Sequence, residues 1–142
     1  MKTDVKTVSI IGLGYVGLPT AALVASRNIR VFGIDSNPDV VATVNQGRVH
    51  IIEADLDGLV QKVVGNGFLS ARVDPCPSDV FVIAVPTPIR EDKSPDISSV
   101  IAATRAIAPV LKQGNLLILE STSPIGTTYC LLLNQPPLSI TK

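Results

Sequence analysis

The stretch Val8-Ser9-Ile10-Ile11-Gly12-Leu13-Gly14-Tyr15-Val16-Gly17 decides the fold of this chain. It joins an apolar run, typical of a buried strand, to a glycine-rich turn, and a helix-forming stretch follows. Asp35 comes eighteen residues after Gly17, at the end of the next apolar run. A strand, a GxGxxG turn, a helix and then an acid form the fingerprint of a dinucleotide-binding βαβ unit.

Each residue type in the fingerprint has a chemical reason. Gly12 permits the tight turn, Gly14 lets the backbone approach a pyrophosphate, and Gly17 lets the helix pack against the strand. The phosphates then lie at a helix N-terminus, where free N–H groups and the dipole favour negative charge. Asp35 accepts hydrogen bonds from a ribose diol and repels the extra phosphate of NADP. No Arg or Lys occurs in residues 36–39 to offset that repulsion, so the predicted cofactor is NAD. The alternative is a glycine-rich turn that binds another ligand, such as an S-adenosyl compound.

The amino-acid composition favours a single globular domain and argues against nucleic-acid and membrane partners. The 142 residues are 46% apolar and 17% charged, which suits one domain with a sheet buried on both faces. Twelve basic and twelve acidic residues cancel without any basic block, so no nucleic-acid partner is expected. There is no run of about 20 apolar residues and no signal peptide, so no membrane association and a cytoplasmic location are expected. Two cysteines, Cys76 and Cys130, make neither a metal spacing nor a disulfide framework.

Strands alternate with helices along the chain, which predicts a doubly wound, mainly parallel Rossmann sheet of about five strands with helices on both faces. Asn37 is expected to cap the second helix and Gly47 to end it, while Pro109 is expected to bend the last helix near its end. The predicted strands are Thr7–Leu13, Arg30–Ile34, Phe68–Val73, Val80–Val85 and Leu116–Glu120. The predicted helices are Val16–Arg27, Pro38–Gln46, Asp55–Val64 and Ile97–Leu111.

Ligands of such a sheet bind beyond the carboxyl ends of the strands. Three segments therefore share one edge, namely 12–17, Val85-Pro86-Thr87-Pro88 and the run Glu120-Ser121-Thr122-Ser123-Pro124. The prolines around Thr87 either present its hydroxyl in a fixed direction or only stiffen a loop. The hydroxyls after Glu120 either cap the next helix or bond a cofactor or a water. Glu120 ends a strand that reads as buried, so its carboxylate is expected to need a partner or a ligand, and Glu120 is a candidate catalytic residue.

Other polar residues are interpreted as ordinary surface. His50, the single histidine, is expected in a surface loop rather than in a catalytic role, because no Ser or Cys candidate lies near it in sequence. Cys76 lies between two prolines in a turn, and the cluster Arg90-Glu91-Asp92-Lys93 reads as a solvated loop.

Taken in order, residues 11–19, 85–88 and 120–128 resemble the UDP-glucose/GDP-mannose dehydrogenase family over about residues 7–128. Residues 49–56 and 107–112 resemble most the bacterial branch that acts on UDP-N-acetyl-D-mannosamine. The resemblance implies an NAD-dependent, two-step oxidation of a sugar C6 hydroxyl to a carboxylate, which supplies surface polysaccharide synthesis. It implies NAD contacts by Tyr15, Val16, Asp35, Thr87 and Thr128. By the same resemblance Thr122, beside Ser121, lies near the nicotinamide and the hydrolytic water.

Departures from the family pattern set further expectations. Family members are several times longer and form homo-oligomers, and their middle and C-terminal sugar-nucleotide domains hold the nucleophilic cysteine and the catalytic lysine. Neither Cys76 nor Cys130 matches that cysteine, so the chain is expected to be an NAD-binding domain, residues 1–128, that is inactive alone. Residues 129–142 break the pattern with Pro136-Pro137, which is interpreted as a frameshift, a premature end or an unrelated tail.

Three hypotheses remain open from the sequence. The first is the shortened UDP-sugar dehydrogenase, and here UDP-glucose or UDP-N-acetylglucosamine are alternatives to the mannosamine sugar. The second is a non-catalytic nucleotide-binding regulatory module that uses the same fingerprint. The third is a poorly folded fragment with exposed apolar surface.

Overall fold

The computed structural model describes residues 5–128 and contains a five-stranded sheet in the order β3-β2-β1-β4-β5, with every neighbouring pair parallel. The strands are β1 (Thr7–Ile11), β2 (Arg30–Ile34), β3 (Leu69–Arg72), β4 (Val80–Ile83) and β5 (Leu116–Leu119). The helices are α1 (Gly17–Ala25), α2 (Pro38–Asn45), α3 (Leu56–Gly65) and α4 (Ser98–Ile107). The predicted doubly wound α/β fold is confirmed.

Local sequence signals set both ends of α2 and the end of α4. The side-chain oxygen of Asn37 accepts a hydrogen bond from the Asp39 N–H at 2.9 Å and so caps α2, as predicted. Gly47, just beyond the end of α2, has a φ of 71°, which a glycine adopts without strain. Helix α4 ends at Ile107, and Pro109 lies in a 3₁₀ turn over Ala108–Val110. The proline ring cannot continue an α-helix, so the expected bend is a change of helix type.

The sheet has a separate apolar layer on each face. One layer packs α1, α2 and α3 against the sheet through residues such as Leu18, Val44 and Val60, all fully buried. The other layer packs α4 through Ala103 and Ile107. Since side chains alternate along a strand, Ile10 of β1 belongs to the first layer and Ile11 to the second. Helices therefore cover both faces, three on one and one on the other.

The last strand differs from its prediction. Every residue of β4 is buried, whereas β5 alternates between exposed and half-buried residues, and Glu120 directly after it is exposed. The expectation that Glu120 ends a buried strand is wrong. The reason is topological, because β5 is the outer strand of the described sheet and has a neighbour on one side only. Its composition is that of a central strand, and composition alone does not reveal position.

The interpretation of residues 129–142, with Cys130 among them, lies outside the described residues. Within residues 5–128, none of the helices combines the length and the apolar character needed to cross a bilayer.

Candidate functional site

A cleft of about 560 Å³ opens at the carboxyl edge of the sheet. The chain crosses from β3 on one side of β1 to β4 on the other, so this edge contains the switch point at which doubly wound sheets bind ligands. The ends of four strands contribute to its lining through Gly12 and Gly14, Asp35 and Ser36, Val73 and Pro75, and Val85 and Pro86. Helix α4 forms one wall with small residues, namely Ser99, Ala102, Ala103 and Ala106.

The glycine turn is held in place by its surroundings. Gly12 donates its N–H to the Ile34 carbonyl at 2.7 Å and has a φ of 94°. A Cβ on Gly12 would lie 2.6 Å from the Ala84 carbonyl oxygen, so no larger residue fits. A Cβ on Gly17 would collide with the Gly12 carbonyl. Both glycines are thus required by the close approach of α1 to the ends of β1 and β4, which agrees with their predicted roles.

The start of α1 presents free hydrogen-bond donors. Within residues 5–128, no acceptor pairs with the backbone N–H groups of Gly14, Tyr15, Val16 and Gly17. The first amides of any helix lack an intrahelical partner and need another one. Gly14 faces open space, since a Cβ there would meet nothing within 4 Å. Four free amides beside an open space, together with the helix dipole, make a cradle for an anionic group such as a diphosphate.

Asp35 connects the glycine turn to the start of α2. One carboxylate oxygen accepts the Leu13 N–H at 3.0 Å, and the other accepts the Asn37 N–H at 2.9 Å. The side chain is half-buried and lines the cleft. A carboxylate offers about four acceptor positions, so two remain for hydroxyl groups of a ligand. The geometry therefore gives Asp35 a structural role in addition to the predicted contact with a ribose.

In the other two predicted loops Val85 and Pro86 line this cleft, whereas Thr87 and residues 120–124 do not. Thr87 and Ser121 are half-buried, and the Ser121 hydroxyl donates to the Val85 carbonyl at 2.8 Å. Tyr15, Val16, Glu120, Thr122 and Thr128 are exposed. The structure thus brings Gly12, Gly14 and Asp35 together with Pro86, and leaves the hydroxyl-bearing residues around the rim.

Several cleft residues were missed in the sequence. The positions 99, 102, 103 and 106 on α4 follow the i, i+3, i+4, i+7 spacing of one helix face, so their small size was a readable signal. His50 is exposed in a loop between α2 and α3, as predicted, and it also lines the cleft. No local pattern predicts that second fact, because it depends on how the loop returns to the edge of the sheet.

The loop that leads into α4 is exposed over residues 90–93, as predicted, and is ordered by its own polar groups. Asp96 pairs with Arg90 at 3.1 Å and accepts the Ser98 N–H at 2.9 Å. Hydrogen bonds from Ser98, with a smaller contribution from Arg90, lower the pKa of Asp96 to about 2. Hydrogen bonds from Ser94 likewise lower the pKa of Asp92. Both carboxylates are therefore engaged in hydrogen bonds within the loop.

The described residues provide neither a metal site nor a cysteine in the cleft. No group of three His, Cys, Asp or Glu side chains in residues 5–128 is placed to hold a metal ion. Cys76 is half-buried and does not line the cleft. An anion cradle at the start of α1, an acid at the end of β2 and a cleft at the switch point instead define a dinucleotide-binding domain.

Comparison with known proteins identifies the family. The sequence model of the UDP-glucose/GDP-mannose dehydrogenase family, NAD binding domain, matches residues 6–135. The chain therefore belongs to this family, and the cofactor of the domain is NAD. The free amides, the space at Gly14 and the two remaining acceptor positions of Asp35 fit that cofactor.

Named relatives share more than half of the aligned residues. An NDP-N-acetyl-D-galactosaminuronic acid dehydrogenase of Ralstonia nicotianae is 57% identical over 125 residues, which cover 88% of this chain and 30% of the relative. A UDP-N-acetyl-D-mannosamine dehydrogenase of Escherichia coli K12 is 54% identical over 122 residues, covering 86% and 29%. The chain thus spans about 30% of the length of the curated relatives that it matches.

Solved structures agree with this assignment. The UDP-N-acetyl-mannosamine dehydrogenase of Staphylococcus aureus superposes with a TM-score of 0.84 at 40% identity, covering 86% of this chain and 30% of that chain. A GDP-mannose dehydrogenase of Pseudomonas aeruginosa superposes with a TM-score of 0.83 at 30% identity, covering 88% and 30%. The resemblance predicted from the glycine turn and the two later loops is confirmed.

Proposed function

We propose that this chain holds NAD with its diphosphate on the free amides of residues 14–17 and its adenosine ribose on Asp35. The observation that carries the proposal is the set of four N–H groups without an acceptor among residues 5–128, with open space at Gly14 and the Asp35 carboxylate bound to the same turn. Gly12 and Gly17 shape the turn, and Tyr15 and Val16 flank the diphosphate. When bound, NAD supplies a hydride acceptor.

We place the nicotinamide end of the cofactor along the rim formed by the two later loops. Thr87, Ser121, Thr122 and Thr128 are the proposed contacts there. Ser121 already donates its hydroxyl to the Val85 carbonyl, so its remaining capacity is that of an acceptor. The exposed side chains of Thr122 and Glu120 are free to hold the water consumed in the second oxidation.

The proposed reaction is the conversion of the C6 hydroxyl of a UDP-sugar to a carboxylate in two NAD-dependent oxidations. The preferred substrate is UDP-N-acetyl-D-mannosamine, which gives UDP-N-acetylmannosaminuronate for surface polysaccharide. This choice is supported by the Escherichia coli and Staphylococcus aureus relatives, whose names specify UDP-N-acetyl-mannosamine, while the Ralstonia nicotianae relative is named for N-acetyl-D-galactosaminuronic acid. UDP-glucose and UDP-N-acetylglucosamine are the alternative substrates.

We further propose that residues 1–128 form the cofactor half of the enzyme and that the covalent chemistry lies elsewhere. Forming a covalent intermediate requires an accessible nucleophile near the reacting carbon. Cys76 is half-buried and is not among the residues that line the cleft, so we assign it no part in the covalent chemistry. In this division of labour the described residues bind and orient NAD, while other residues of a full-length family member hold the sugar and supply the thiol and the lysine.

Two measurements test the proposal. Isothermal calorimetry with NADH should register saturable binding by the 142-residue chain, and NADPH should bind at least about tenfold more weakly because Asp35 repels its extra phosphate. Incubation with NAD and UDP-N-acetyl-D-mannosamine should produce no NADH absorbance. An absence of heat with saturating NADH would overturn the binding proposal. Steady turnover by the purified chain would overturn the division of labour.

A further inference from the structure

We propose that His50 is a binding residue for the adenosine end of the cofactor, an inference that rests on the NAD site proposed above. His50 lines the same cleft as Asp35 and Ser36. These three residues come from two separate loops, one after β2 and one between α2 and α3. Asp35 takes the adenosine ribose in the proposed site, and His50 lines the same cleft, so we place His50 at the adenosine end of the ligand.

The neighbours of His50 fix its position. Val49 packs against the core layer of α1–α3, and Ile51 is buried in it with only 7% of its surface exposed. The two apolar side chains on either side of His50 thus anchor the loop to the core. His50 itself lines the cleft, whereas Ile52, two residues further on, is 93% exposed and is not part of the cleft lining.

The imidazole is available for a ligand. Within residues 5–128 it makes no hydrogen bond and no ion pair, although Asp35 lines the same cleft. A neutral imidazole offers one N–H donor, one nitrogen acceptor and a flat aromatic face. These groups suit a ribose hydroxyl or an adenine edge, while Val73 and Pro75 add apolar surface for the base. The diphosphate and the nicotinamide have their proposed partners elsewhere.

The single histidine in the sequence allows a direct test. In a tag-free sample, the imidazole C–H signals in a proton NMR spectrum belong to His50 without further assignment. We expect NADH and ADP-ribose to shift these signals saturably, and nicotinamide mononucleotide at the same concentration to leave them unchanged. If calorimetry shows NADH binding while the signals stay fixed, the inference about His50 is overturned and the NAD site stands. If NADH does not bind at all, the NAD site itself fails.

A matched pair of variants provides a second test. His50→Ala should weaken the binding of NADH and of ADP-ribose by about three- to tenfold, the range for one lost hydrogen bond. Ile52→Ala, two residues away in the same loop, should bind both ligands like the parent chain. Circular dichroism checks that both variants fold. Equal affinity of the parent chain and of His50→Ala would overturn the assignment.

Discussion

The polar groups at the amino edge of the sheet bond one another, whereas several of those at the carboxyl edge have no partner among the described residues. At the amino edge, Asp79 accepts hydrogen bonds from the Lys6 N–H at 2.9 Å, the Thr7 N–H at 2.9 Å and the Thr7 hydroxyl at 3.0 Å. At the carboxyl edge, four consecutive amides at the start of α1 have no acceptor among residues 5–128. The contrast has a structural cause, because the free amides lie at a helix N-terminus, whose first N–H groups lack intrahelical acceptors, whereas the Asp79 contacts join a loop residue to the start of β1.

A second side chain at the amino edge shows the same internal use. Asn115 accepts the Lys112 N–H at 2.7 Å and donates to the Ser78 carbonyl at 2.8 Å. The Ser78 hydroxyl in turn bonds the buried Ser9 hydroxyl at 2.8 Å. Buried or bridging polar groups that satisfy one another stabilise the fold and offer nothing to a ligand. Substitutions at the two edges should therefore separate stability from binding.

The largest expected effect distinguishes two glycines of the same turn. Gly12→Ala should lower the free energy of unfolding by about 3 kcal/mol, because the new Cβ meets the Ala84 carbonyl and the φ of 94° is strained for alanine. Gly14→Ala should leave stability nearly unchanged, since its Cβ enters open space, yet it should weaken NADH binding at least about tenfold. Urea denaturation and calorimetry measure the two quantities. Similar stability losses in both variants would contradict the difference in space around the two glycines.

Asp35→Ala should affect both quantities, because this carboxylate has a structural and a binding role. We expect NADH binding to weaken by about tenfold to a hundredfold, the range for hydrogen bonds to a charged group. The melting temperature without ligand should also fall, since the Leu13 and Asn37 amides lose their acceptor. Thermal melting with and without NADH measures both effects. An unaltered shift of the melting temperature by NADH would exclude Asp35 from the site.

Asn115→Ala provides the corresponding test at the amino edge. Removing its side chain leaves the Lys112 N–H and the Ser78 carbonyl without their partner and should cost about 1–2 kcal/mol of stability. The affinity for NADH, measured where the variant is fully folded, should equal that of the parent chain. A loss of affinity comparable to that of Asp35→Ala would break the distinction between the two edges.

The smallest expected effect is a dependence on pH. Hydrogen bonds from Lys6 and Thr7 lower the pKa of Asp79 below its ordinary value of 3.8. Because the folded-state pKa is the lower one, the stabilisation is complete above about pH 4 and is lost as the pH falls through the folded-state value. Asp79→Asn should therefore reduce the fall in melting temperature below pH 4.

Two controls accompany the acid titration. Asp79→Asn should leave NADH binding at neutral pH unchanged, since the residue lies at the amino edge. Asp96→Asn should also reduce the fall in melting temperature at acid pH. Its effect should extend down to about pH 2, since the pKa of the Asp96 carboxyl is about 2. An acid slope in Asp79→Asn equal to that of the parent chain would contradict the role given to its hydrogen bonds.

The parts of the fold that local chemistry controls could be predicted from the sequence. The cap at Asn37, the helix stop at Gly47 and the break at Pro109 each depend on one residue and its immediate neighbours. The glycine turn could be predicted because the spacing of its three glycines and Asp35 is fixed by the cofactor that they are expected to bind. In these cases the physical cause lies within a few residues of the signal.

The remaining features depend on contacts that are distant in sequence. β5 reads as a central strand, and only the sheet order reveals that it is exposed with Glu120 at its end. The second role of Asp35 requires that Leu13 and Asn37 both approach it. The presence of His50 in the cleft requires the return path of a loop anchored by Ile51. No local sequence pattern predicts any of these three features.

The hydrogen bond from the Ser121 hydroxyl to the Val85 carbonyl has a mechanical consequence. The Glu120 and Ser121 N–H groups also bond the Ile83 carbonyl, at 2.9 Å and 3.2 Å, so the two loops are joined at three points. Displacement of one segment must carry the other with it or break these links. The segments 83–85 and 120–121 are therefore mechanically coupled, so a ligand that displaces one of them also displaces the other or breaks a hydrogen bond.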